Sequence, residues 1–442
     1  MVRAGALLCL DDAGRRVADG AVAVDAGRIV ALGPAAEVAR AWVGDERVDR
    51  PGHVVLPGFV NAHTHLAMTM FRGMADDRDL EAFLATVLPV EGAVLNAGRV
   101  ALATRAAAVE SLSAGVTTAL DMYFHAAAAV PAAASVGLRV LSGPVMFDGG
   151  PGSMPWGELM AWAGEWMAAH PARSGVRPVV GPHSTYMLTP DHLCEVRDLA
   201  AAHGALVHIH ASETAAENEL VRSRYSVSPV SLLHSLDLLG AETVLAHAVH
   251  LDDVDLDSVA ASGASVAHCP ASNLKLASGV ARVPELVARG VDVGIGTDGP
   301  ASSNDLDVLG ATRLAALLHK GAPWSGSPDA ASLPAEVSLH AATLGGARAL
   351  GVDADLGSLE VGKLADLVAV DLDRPHVQPV YDVASSVLYA AGRGDVTDVW
   401  VEGRRAVAAG RVTATAAATV TDDLRDLRRV VDDLRGGGGA PA

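Results

Sequence analysis

Two histidines, His63 and His65, stand two residues apart in "NAHTHLAMT", where the apolar run "HVVLPGF" ends. In a β-strand the side chains alternate between the two faces, so residues i and i+2 share one face. Two imidazoles on one face can ligate a metal ion, or they can form a hydrogen-bonded pair in the core. The pair alone leaves both interpretations open, and the choice depends on whether the rest of the chain supplies further ligands.

Further ionisable residues lie where other short apolar runs of the chain end. In chain order they are His183 in "GPHSTY", His208, His210 and Glu213 in "HIHASE", His247 and His250 in "LAHAVH", and Asp298 in "GTDGP". One histidine at a strand end usually has a structural role. Several ionisable strand ends in succession are harder to explain in that way, and they favour a site built from several strands.

The elements that would position these residues alternate regularly along the chain. After His65, alanine-rich helical segments such as "AGRVALATRAAAVESLSAG" alternate with apolar runs such as "VTTALDM" and "TVLAHAVH". Such alternation predicts parallel βα units. The number of units is close to that of a (β/α)8 TIM barrel, in which active-site residues lie at the C-terminal ends of the strands.

Strand-like sequence is found again at both ends of the chain. Near the N-terminus, "GAVAVDAGRIVALG" predicts a hairpin that turns at Gly27. Towards the C-terminus, "GSLEVGKLADLVAVDLD" and "VTDVWVEGRRAVAAGRV" have the same character. We predict that residues 1–58 and 353–442 form a smaller β-sandwich domain beside a barrel domain at residues 59–352. The second part would also contain a docked helix, "TDDLRDLRRVVDDLR", and a flexible tail, "GGGGAPA".

Composition limits the classes of function that fit this chain. Half of its 442 residues are hydrophobic, so it can bury a large core, and its net charge of −19 would repel nucleic-acid phosphates. Its three cysteines are too few for a disulfide framework and fit a reducing compartment. No signal peptide or transmembrane segment is predicted. We therefore expect a cytoplasmic protein with a small-molecule substrate and without nucleic-acid or membrane partners.

Taken together, these motifs resemble those of the amidohydrolase superfamily, and more closely its branch that deaminates adenosine derivatives such as S-adenosylhomocysteine and methylthioadenosine. The resemblance runs from "VLPGFVNAHTH" through "GVTTALDMY", "HIHASET", "LAHAVHL", "HCPASNLKLASG" and "GIGTDGPASSNDLD" to "GSLEVGKLADLV". Its joint set of motifs is highly specific, although each motif alone would be weak. The resemblance implies a hydrolase that releases ammonia from a purine nucleoside, and it allows a homo-oligomer.

The resemblance implies that His63, His65, His210 and Asp298 are the metal ligands. His208 is the competing candidate for His210, which is preferred because the family pattern places a glutamate three residues after the ligand. Three imidazoles and one carboxylate suit Zn²⁺ and leave a position open for water, whose pKa the metal would lower. We expect one divalent metal per chain, with Zn²⁺ as the first choice and Fe²⁺ or Mn²⁺ as alternatives.

The lysines bear on whether the site holds one metal or two. Binuclear members of the superfamily commonly bridge their metals with a carboxylated lysine on the fourth strand. This chain has three lysines, Lys275, Lys320 and Lys363, and none lies between His65 and His210. The predicted fourth strand ends in His183 instead, which indicates a mononuclear site.

The resemblance also implies roles for the remaining site residues. Glu213 would take the proton of the attacking water and deliver it to the ring nitrogen. His247 would orient or polarise the hydroxide. Asp298, besides contacting the metal, would pass the second proton to the leaving amine. His183 would contact the substrate ring, although a structural role is the alternative for it.

The substrate side depends on three features. Glu91, in "LPVE", matches the family glutamate that binds ribose hydroxyls, although a solvated surface glutamate is its alternative. Relatives that act on S-adenosylhomocysteine hold its carboxylate with arginines after the third strand, and Arg139 is the candidate here. Arg139 stands where a strand begins, and no second arginine follows in "GLRVLSGPVMFDGG". Trp156 and Trp162 are expected in a βα loop, where they would cap the pocket or pack against neighbours.

These features predict a deaminase of a 5′-modified adenosine nucleoside. Methylthioadenosine, 5′-deoxyadenosine, adenosine and aminodeoxyfutalosine are expected to fit better than S-adenosylhomocysteine. One alternative is a deaminase or hydrolase of a free base or related ring, such as guanine, a pterin or an s-triazine. Another is a non-catalytic amidohydrolase-like scaffold. Glu91 favours the nucleoside, since flat bases have no diol, and the intact ligand set argues against the scaffold.

Overall fold

A computed structural model describes residues 1–149, 154–321 and 328–437 of the chain. The predicted flexible tail, residues 436–442, falls largely outside these residues, and the last helix extends to Gly437. In the described residues the strands are β1 (Val2–Leu8), β2 (Arg16–Asp25), β3 (Arg28–Pro34), β4 (Val48–Pro57), β5 (Phe59–Thr64), β6 (Val116–Asp121), β7 (Arg139–Ser142), β8 (Val145–Met146), β9 (Val179–Pro182), β10 (Leu206–Ala211), β11 (Thr243–His247), β12 (Ser265–His268), β13 (Val293–Ile295), β14 (Leu367–Asp371), β15 (Val396–Val401), β16 (Arg404–Ala408) and β17 (Arg411–Val412).

The helices occupy most of the segments between these strands. They are α1 (Ala35–Ala41), α2 (Leu80–Val94), α3 (Ala97–Ser113), α4 (Ala126–Ala134), α5 (Trp156–Ala169), α6 (Pro190–His203), α7 (Ala215–Tyr225), α8 (Pro229–Ser235), α9 (Asp253–Ser262), α10 (Pro270–Lys275), α11 (Val283–Ala288), α12 (Val308–Gly321), α13 (Ala335–His340), α14 (Gly346–Ala349), α15 (Val383–Ser385) and α16 (Val420–Gly437).

Nine consecutive strands, β5 to β13, form two parallel sheets. One has three strands in the order β5-β6-β7, and the other has six in the order β13-β12-β11-β10-β9-β8. The two sheets meet where the Asp298 N–H, just after β13, donates to the His63 carbonyl on β5 over 3.0 Å. The predicted parallel βα units are confirmed. Within the described residues the strand ladders form these two sheets without closing, so closure into a barrel stays a prediction.

Apolar packing holds the helices on the outer side of the six-stranded sheet. Ile209 of β10 and Leu245 of β11 belong to a buried cluster that also includes Leu193 of α6, Leu233 of α8 and Val259 of α9. Strands β10 and β11 are buried along their whole length. Strands that are covered on both faces in this way consist mainly of apolar residues. The polar exceptions on these two strands, such as His208, His210 and His247, therefore need partners inside the protein.

Both ends of the chain contribute to one further sheet of eight strands. Its order is β17-β16-β15-β14-β4-β1-β2-β3, and β14 pairs antiparallel with β4, which joins the C-terminal strands to the N-terminal ones. The predicted hairpin between β2 and β3 is present, and Gly27 has a φ of +80° at its turn, where glycine is favoured. The description of this sheet as part of a β-sandwich, and the predicted domain limits, stay predictions.

The C-terminal helix α16 docks on α2 and α3, as its apolar spacing predicts. Leu427 and Val431 are buried in one cluster with Phe83 of α2 and Val100 of α3. Arg105 of α3 also forms an ion pair of 2.8 Å with Asp423.

No single helix among the described residues is long and apolar enough to cross a membrane, although α2 and α3, bent by 120° at their junction, reach that length together.

Candidate active site

His63 on β5 and His65, the residue directly after β5, lie side by side at the C-terminal end of the parallel strands. Their ring centroids are 4.8 Å apart in an edge-to-face arrangement. The Asp298 Oδ1 atom lies 3.3 Å from His63 Nε2 and 3.2 Å from His65 Nε2. The two histidines therefore share one face, as the period of two predicts, and this face is directed at the predicted aspartate.

Strand β10 brings a third imidazole to the same point. His210 Nε2 lies 3.3 Å from His65 Nε2. Four donors about 2.1 Å from a tetrahedral centre would lie roughly 3.4 Å from one another. The measured donor separations of 3.2 to 3.3 Å are close to this spacing. Three of the six donor pairs among His63, His65, His210 and Asp298 thus have a spacing that suits a small divalent cation, and the donor atoms of His63 and His210 lie within 4.8 Å of each other.

Hydrogen bonds to the Nδ1 atoms orient each of these imidazoles. His210 Nδ1 donates to the His183 carbonyl over 2.8 Å, and His65 Nδ1 donates to the Met122 carbonyl. His63 Nδ1 shares a hydrogen bond of 2.8 Å with His208 Nε2. When Nδ1 carries the single proton of a neutral imidazole, Nε2 presents a lone pair to the shared point.

Asp298 is held in an uncommon backbone conformation. It lies three residues beyond β13 and has a φ of +60°, which is unfavourable for a residue other than glycine. Its Oδ2 atom accepts hydrogen bonds of 2.6 Å from both Ser272 Oγ and Ser302 Oγ. These contacts occupy one carboxylate oxygen and leave Oδ1 directed at the imidazoles.

The electrostatics of the site favour a positive charge between these groups. Burial lowers the pKa of His65, but the hydrogen bond and the charge of Asp298 outweigh burial and raise it to about 9. Burial raises the pKa of Asp298, yet His63 and His65 hold it well below its ordinary value. The buried Nε2 atom of His63 has no hydrogen-bond partner in the part of the chain that is described. An orphaned lone pair beside an ionised carboxylate fits a bound cation.

Glu213 and His247 lie next to these four donors. His247 Nε2 is 3.9 Å from Glu213 Oε1, and both side chains are buried. The donor atoms of His63, His210 and His247 lie within 4.8 Å of one another. Burial raises the pKa of Glu213, although the charge of His247 opposes this. A buried carboxyl group with a raised pKa beside an imidazole is suited to accept and return a proton.

His247 is itself fixed by its surroundings. It ends β11 with a φ of +71°, and its Nδ1 donates to Asn273 Oδ1 over 2.8 Å. The protonated Nδ1 leaves Nε2 free to face Glu213. Asn273 belongs to α10, and at the end of this helix Lys275 Nζ bonds to Asp76 over 2.6 Å and to Asn304 over 2.7 Å.

Two predicted substrate-side residues lie close to the donor set. The His183 ring centroid is 4.7 Å from that of His210, and burial lowers the pKa of His183 to about 4. Glu91 on α2 is buried and accepts a hydrogen bond from the Tyr123 hydroxyl. The Tyr123 ring lies 6.2 Å from the ring of His65. Glu91 is therefore not a solvated surface residue, and its carboxylate is near the site.

Arg139 requires a correction, because the structure does not bring it to the site. It is the first residue of β7 and so lies at the N-terminal end of the parallel strands, opposite the histidines. Its guanidinium pairs with Asp366, next to β14, and with Glu402 over 2.9 Å. Arg139 is thus buried between the parallel strands and the eight-stranded sheet, where its charge is already paired. It is not available for a substrate carboxylate.

The two tryptophans lie in a different element from the expected loop, although they pack against neighbours, which was one of the two expected roles. Trp156 and Trp162 belong to helix α5 and not to a loop. The Trp156 ring stacks on His192 at 3.9 Å, and its Nε1 donates to Glu195 over 2.9 Å. The Trp162 ring lies 6.1 Å from that of Trp166. Both side chains pack against neighbouring helical residues.

Several residues that support the site were not singled out from the sequence. They are Tyr123, Ser272, Ser302 and Glu217, and His208 was considered only as a rival ligand. The spacing of His208, two residues before His210, places it on the same face of β10 and could have indicated its contact with His63. The serines and Glu217 carry no such signal, because their roles depend on contacts between distant segments.

The chain is similar to known proteins along most of its length. The model of the amidohydrolase family matches residues 54–406, and that of a bacterial imidazolonepropionase-like composite domain matches residues 20–42. The chain is 40% identical to a protein of Syntrophobacter fumaroxidans named 5-methylthioadenosine/S-adenosylhomocysteine deaminase, over 97% of each chain. A protein of Moorella thermoacetica with the same name is 40% identical over 91% of this chain and 93% of its own.

Solved structures of related enzymes also match most of the chain. An adenosine deaminase from Xanthomonas campestris with bound zinc has a TM-score of 0.94 and 37% identity, with 98% of each chain covered. A zinc complex of an atrazine chlorohydrolase from Arthrobacter aurescens has a TM-score of 0.89 and 25% identity, with 97% of this chain and 100% of the other covered. On the extent of these matches and the geometry above, the chain belongs to the amidohydrolase family.

Proposed function

We propose that this protein is a metal-dependent deaminase that converts a 5′-modified adenosine nucleoside and water into the inosine analogue and ammonia. The observation that carries the proposal is the Glu213–His247 pair, 3.9 Å apart, beside the four converging donors. A hydrolytic deaminase needs a proton-transfer group next to the place where water is activated. The names of the relatives, given above, support the same reaction.

The ligand set that we propose is His63, His65, His210 and Asp298, with one divalent metal, of which Zn²⁺ is the first choice. Bound zinc in two similar structures supports this choice. A cation at these donors would lower the pKa of a water molecule. His183 follows β9 at the position where binuclear members of the family commonly have a lysine. That substitution supports a single metal.

In this proposal Glu213 and Asp298 each transfer one proton, and His247 orients the water. The Glu213 carboxylate takes a proton from the attacking water and delivers it to the ring nitrogen, while His247 Nε2 orients the water oxygen. A C–O bond forms at the carbon that bears the amino group. Asp298 accepts the second proton and passes it to the amine, the C–N bond breaks, and ammonia leaves. The buried positions of Glu213 and His247 exclude competing solvent from these transfers.

The substrate side of the proposal depends on Glu91. Tyr123 donates to Glu91 Oε1, which leaves Oε2 to accept from the hydroxyls of a ribose diol. Beyond Tyr123, the Phe124 and Phe147 rings meet at 5.8 Å. The engaged guanidinium of Arg139 favours an uncharged 5′ group over the amino-acid group of S-adenosylhomocysteine.

This substrate preference can be measured directly. We predict that kcat/KM is higher for methylthioadenosine, 5′-deoxyadenosine or adenosine than for S-adenosylhomocysteine. A 2′,3′-dideoxy analogue should lose about 10- to 100-fold, since hydrogen bonds to a charged group contribute about 1.5–3 kcal/mol. Glu91→Gln should lower kcat/KM for the nucleoside by a similar factor. For the dideoxy analogue, which lacks both hydroxyls, the same substitution should change kcat/KM little.

Ammonia release from a panel of nucleosides and bases gives these values. If S-adenosylhomocysteine is the best substrate, the inferred preference for an uncharged 5′ group is wrong. If guanine or an s-triazine reacts and no nucleoside does, the nucleoside assignment is wrong, although the hydrolytic chemistry remains. The cytoplasmic location and a homo-oligomeric state stay predictions.

A further inference from the structure

Glu217 is a buried carboxylate that the proposed reaction does not use. It lies in the first turn of α7 and is 5% exposed. Its Oε1 accepts the backbone N–H of Ser212 over 3.0 Å, and its Oε2 accepts the backbone N–H of Glu213 over 2.7 Å. Both oxygens therefore bind the short segment that carries Glu213.

This segment is the connection between β10 and α7, and it has only the residues from Ser212 to Thr214. Ser212 has a φ of +53°, in the left-handed region that non-glycine residues rarely adopt. The N-terminus of α7 is already capped, because Thr214 Oγ1 accepts the N–H of Glu217 over 3.1 Å. The Glu217 side chain reaches past this cap, and its contacts serve the strand-to-helix connection.

The burial of Glu217 depends on its two contacts with backbone N–H groups. Burying a carboxylate is unfavourable unless hydrogen bonds or a cation compensate for the lost water. No basic side chain of the described residues forms a salt bridge with Glu217, so the two N–H groups supply the compensation that the structure records. Its burial is thus coupled to the backbone conformation at Glu213.

We propose that Glu217 is a positioning residue that holds the Glu213 carboxylate in line with the water and the substrate ring. This inference rests on the proposed proton-transfer role of Glu213. A general base must lie within hydrogen-bond reach of the proton that it takes, and a displacement of about 1 Å can lower the rate about 100-fold. The clamp by Glu217 limits such a displacement by fixing the backbone of Glu213 and the residue before it.

Glu217→Gln tests this role with an almost unchanged side-chain shape. The amide has one accepting oxygen, and its NH₂ group would face the other backbone N–H. We expect kcat to fall about 10- to 100-fold while KM and the metal content per chain stay within about threefold of wild type. Glu219→Gln, an exposed glutamate on the same helix, is the matched control and should keep wild-type kcat.

A double-mutant cycle with Glu213→Gln separates positioning from general support of the structure. If Glu217 acts through Glu213, the double variant should have the kcat of Glu213→Gln alone, within about threefold. The proposal would be overturned if the two losses in kcat multiply in the double variant, or if Glu217→Gln keeps wild-type kcat. Should Glu217→Gln fail to fold, Glu217→Asp keeps the charge but shortens the reach. A lowered kcat at full metal content would then support positioning, and unchanged kcat would refute it.

The cycle also separates this inference from the one on which it rests. If Glu213→Gln itself keeps wild-type kcat, the proton-transfer role of Glu213 is wrong, and the positioning role is wrong with it. If Glu213→Gln is inactive while Glu217→Gln is unaffected, the proposed function stands and only the positioning role is lost.

Discussion

Glu213→Gln should leave the protein folded and loaded with metal but lower kcat about 10²- to 10⁴-fold. General acid–base groups typically contribute this factor, which corresponds to about 3–5 kcal/mol of transition-state stabilisation. The amide has nearly the same shape as the carboxyl group, but it cannot take a proton from water or deliver one to the ring nitrogen. Steady-state kinetics, with metal analysis and a thermal unfolding curve on the same sample, would measure the effect.

The pH dependence provides a second measurement of the same role. Glu213 must be ionised to accept a proton, and burial raises its pKa. Activity should therefore fall as the pH drops through this raised pKa, at a higher pH than an exposed glutamate would give. In Glu213→Gln this acid limb should disappear from the residual activity. A variant with near-normal kcat and an unchanged acid limb would reject the role.

Asp298→Ala and His63→Ala should each lose the metal and the activity together. Asp298 Oδ1 is the negative charge of the donor set and lies 3.2 to 3.3 Å from two imidazole nitrogens. Removing it takes away a ligand and the carboxylate that draws a cation to the site. The loss should exceed the roughly 10- to 100-fold that removal of an outer hydrogen-bond partner costs in metal affinity.

Ser302→Ala is the graded control for these two variants. Ser302 donates to Asp298 Oδ2 over 2.6 Å and, in the proposed arrangement, does not contact the metal. Its removal should weaken metal binding about 10- to 100-fold without abolishing it, and excess metal should restore activity. Asp298→Ala with full metal content and full activity would show that the donor set is assigned incorrectly.

The sequence predicts those features of the site that depend on local periodicity. His63 and His65 share a face because strand side chains alternate, and this followed from their spacing alone. The parallel βα units followed from the alternation of apolar runs and helical segments. The convergence of β5, β10 and β13 on one point could not be predicted from local patterns, because the pattern of one segment contains no information about its distance from another segment. The resemblance to a family supplied that link for His210 and Asp298.

The errors have physical causes that can be identified. The position of Arg139 at the start of a strand already argued against a place among the histidines, because active-site residues lie at the C-terminal ends of barrel strands. Its pairing with Asp366, which is 227 residues away, could not be read from either segment alone. Trp156 and Trp162 were expected in a loop, but they lie in helix α5. Its buried or partly buried residues Leu159, Ala163 and Trp166 recur at a helical spacing, which was a usable signal. Glu217 resembles any glutamate in a first turn until its burial is known.

The most direct test of the central claim is a metal titration of the metal-free enzyme with ammonia release from methylthioadenosine as the readout. The account predicts that activity rises with added Zn²⁺ to a plateau at one equivalent per chain, and that ammonia and methylthioinosine form in equal amounts. Activity without metal, a plateau only at two equivalents, or a product formed without ammonia would contradict it.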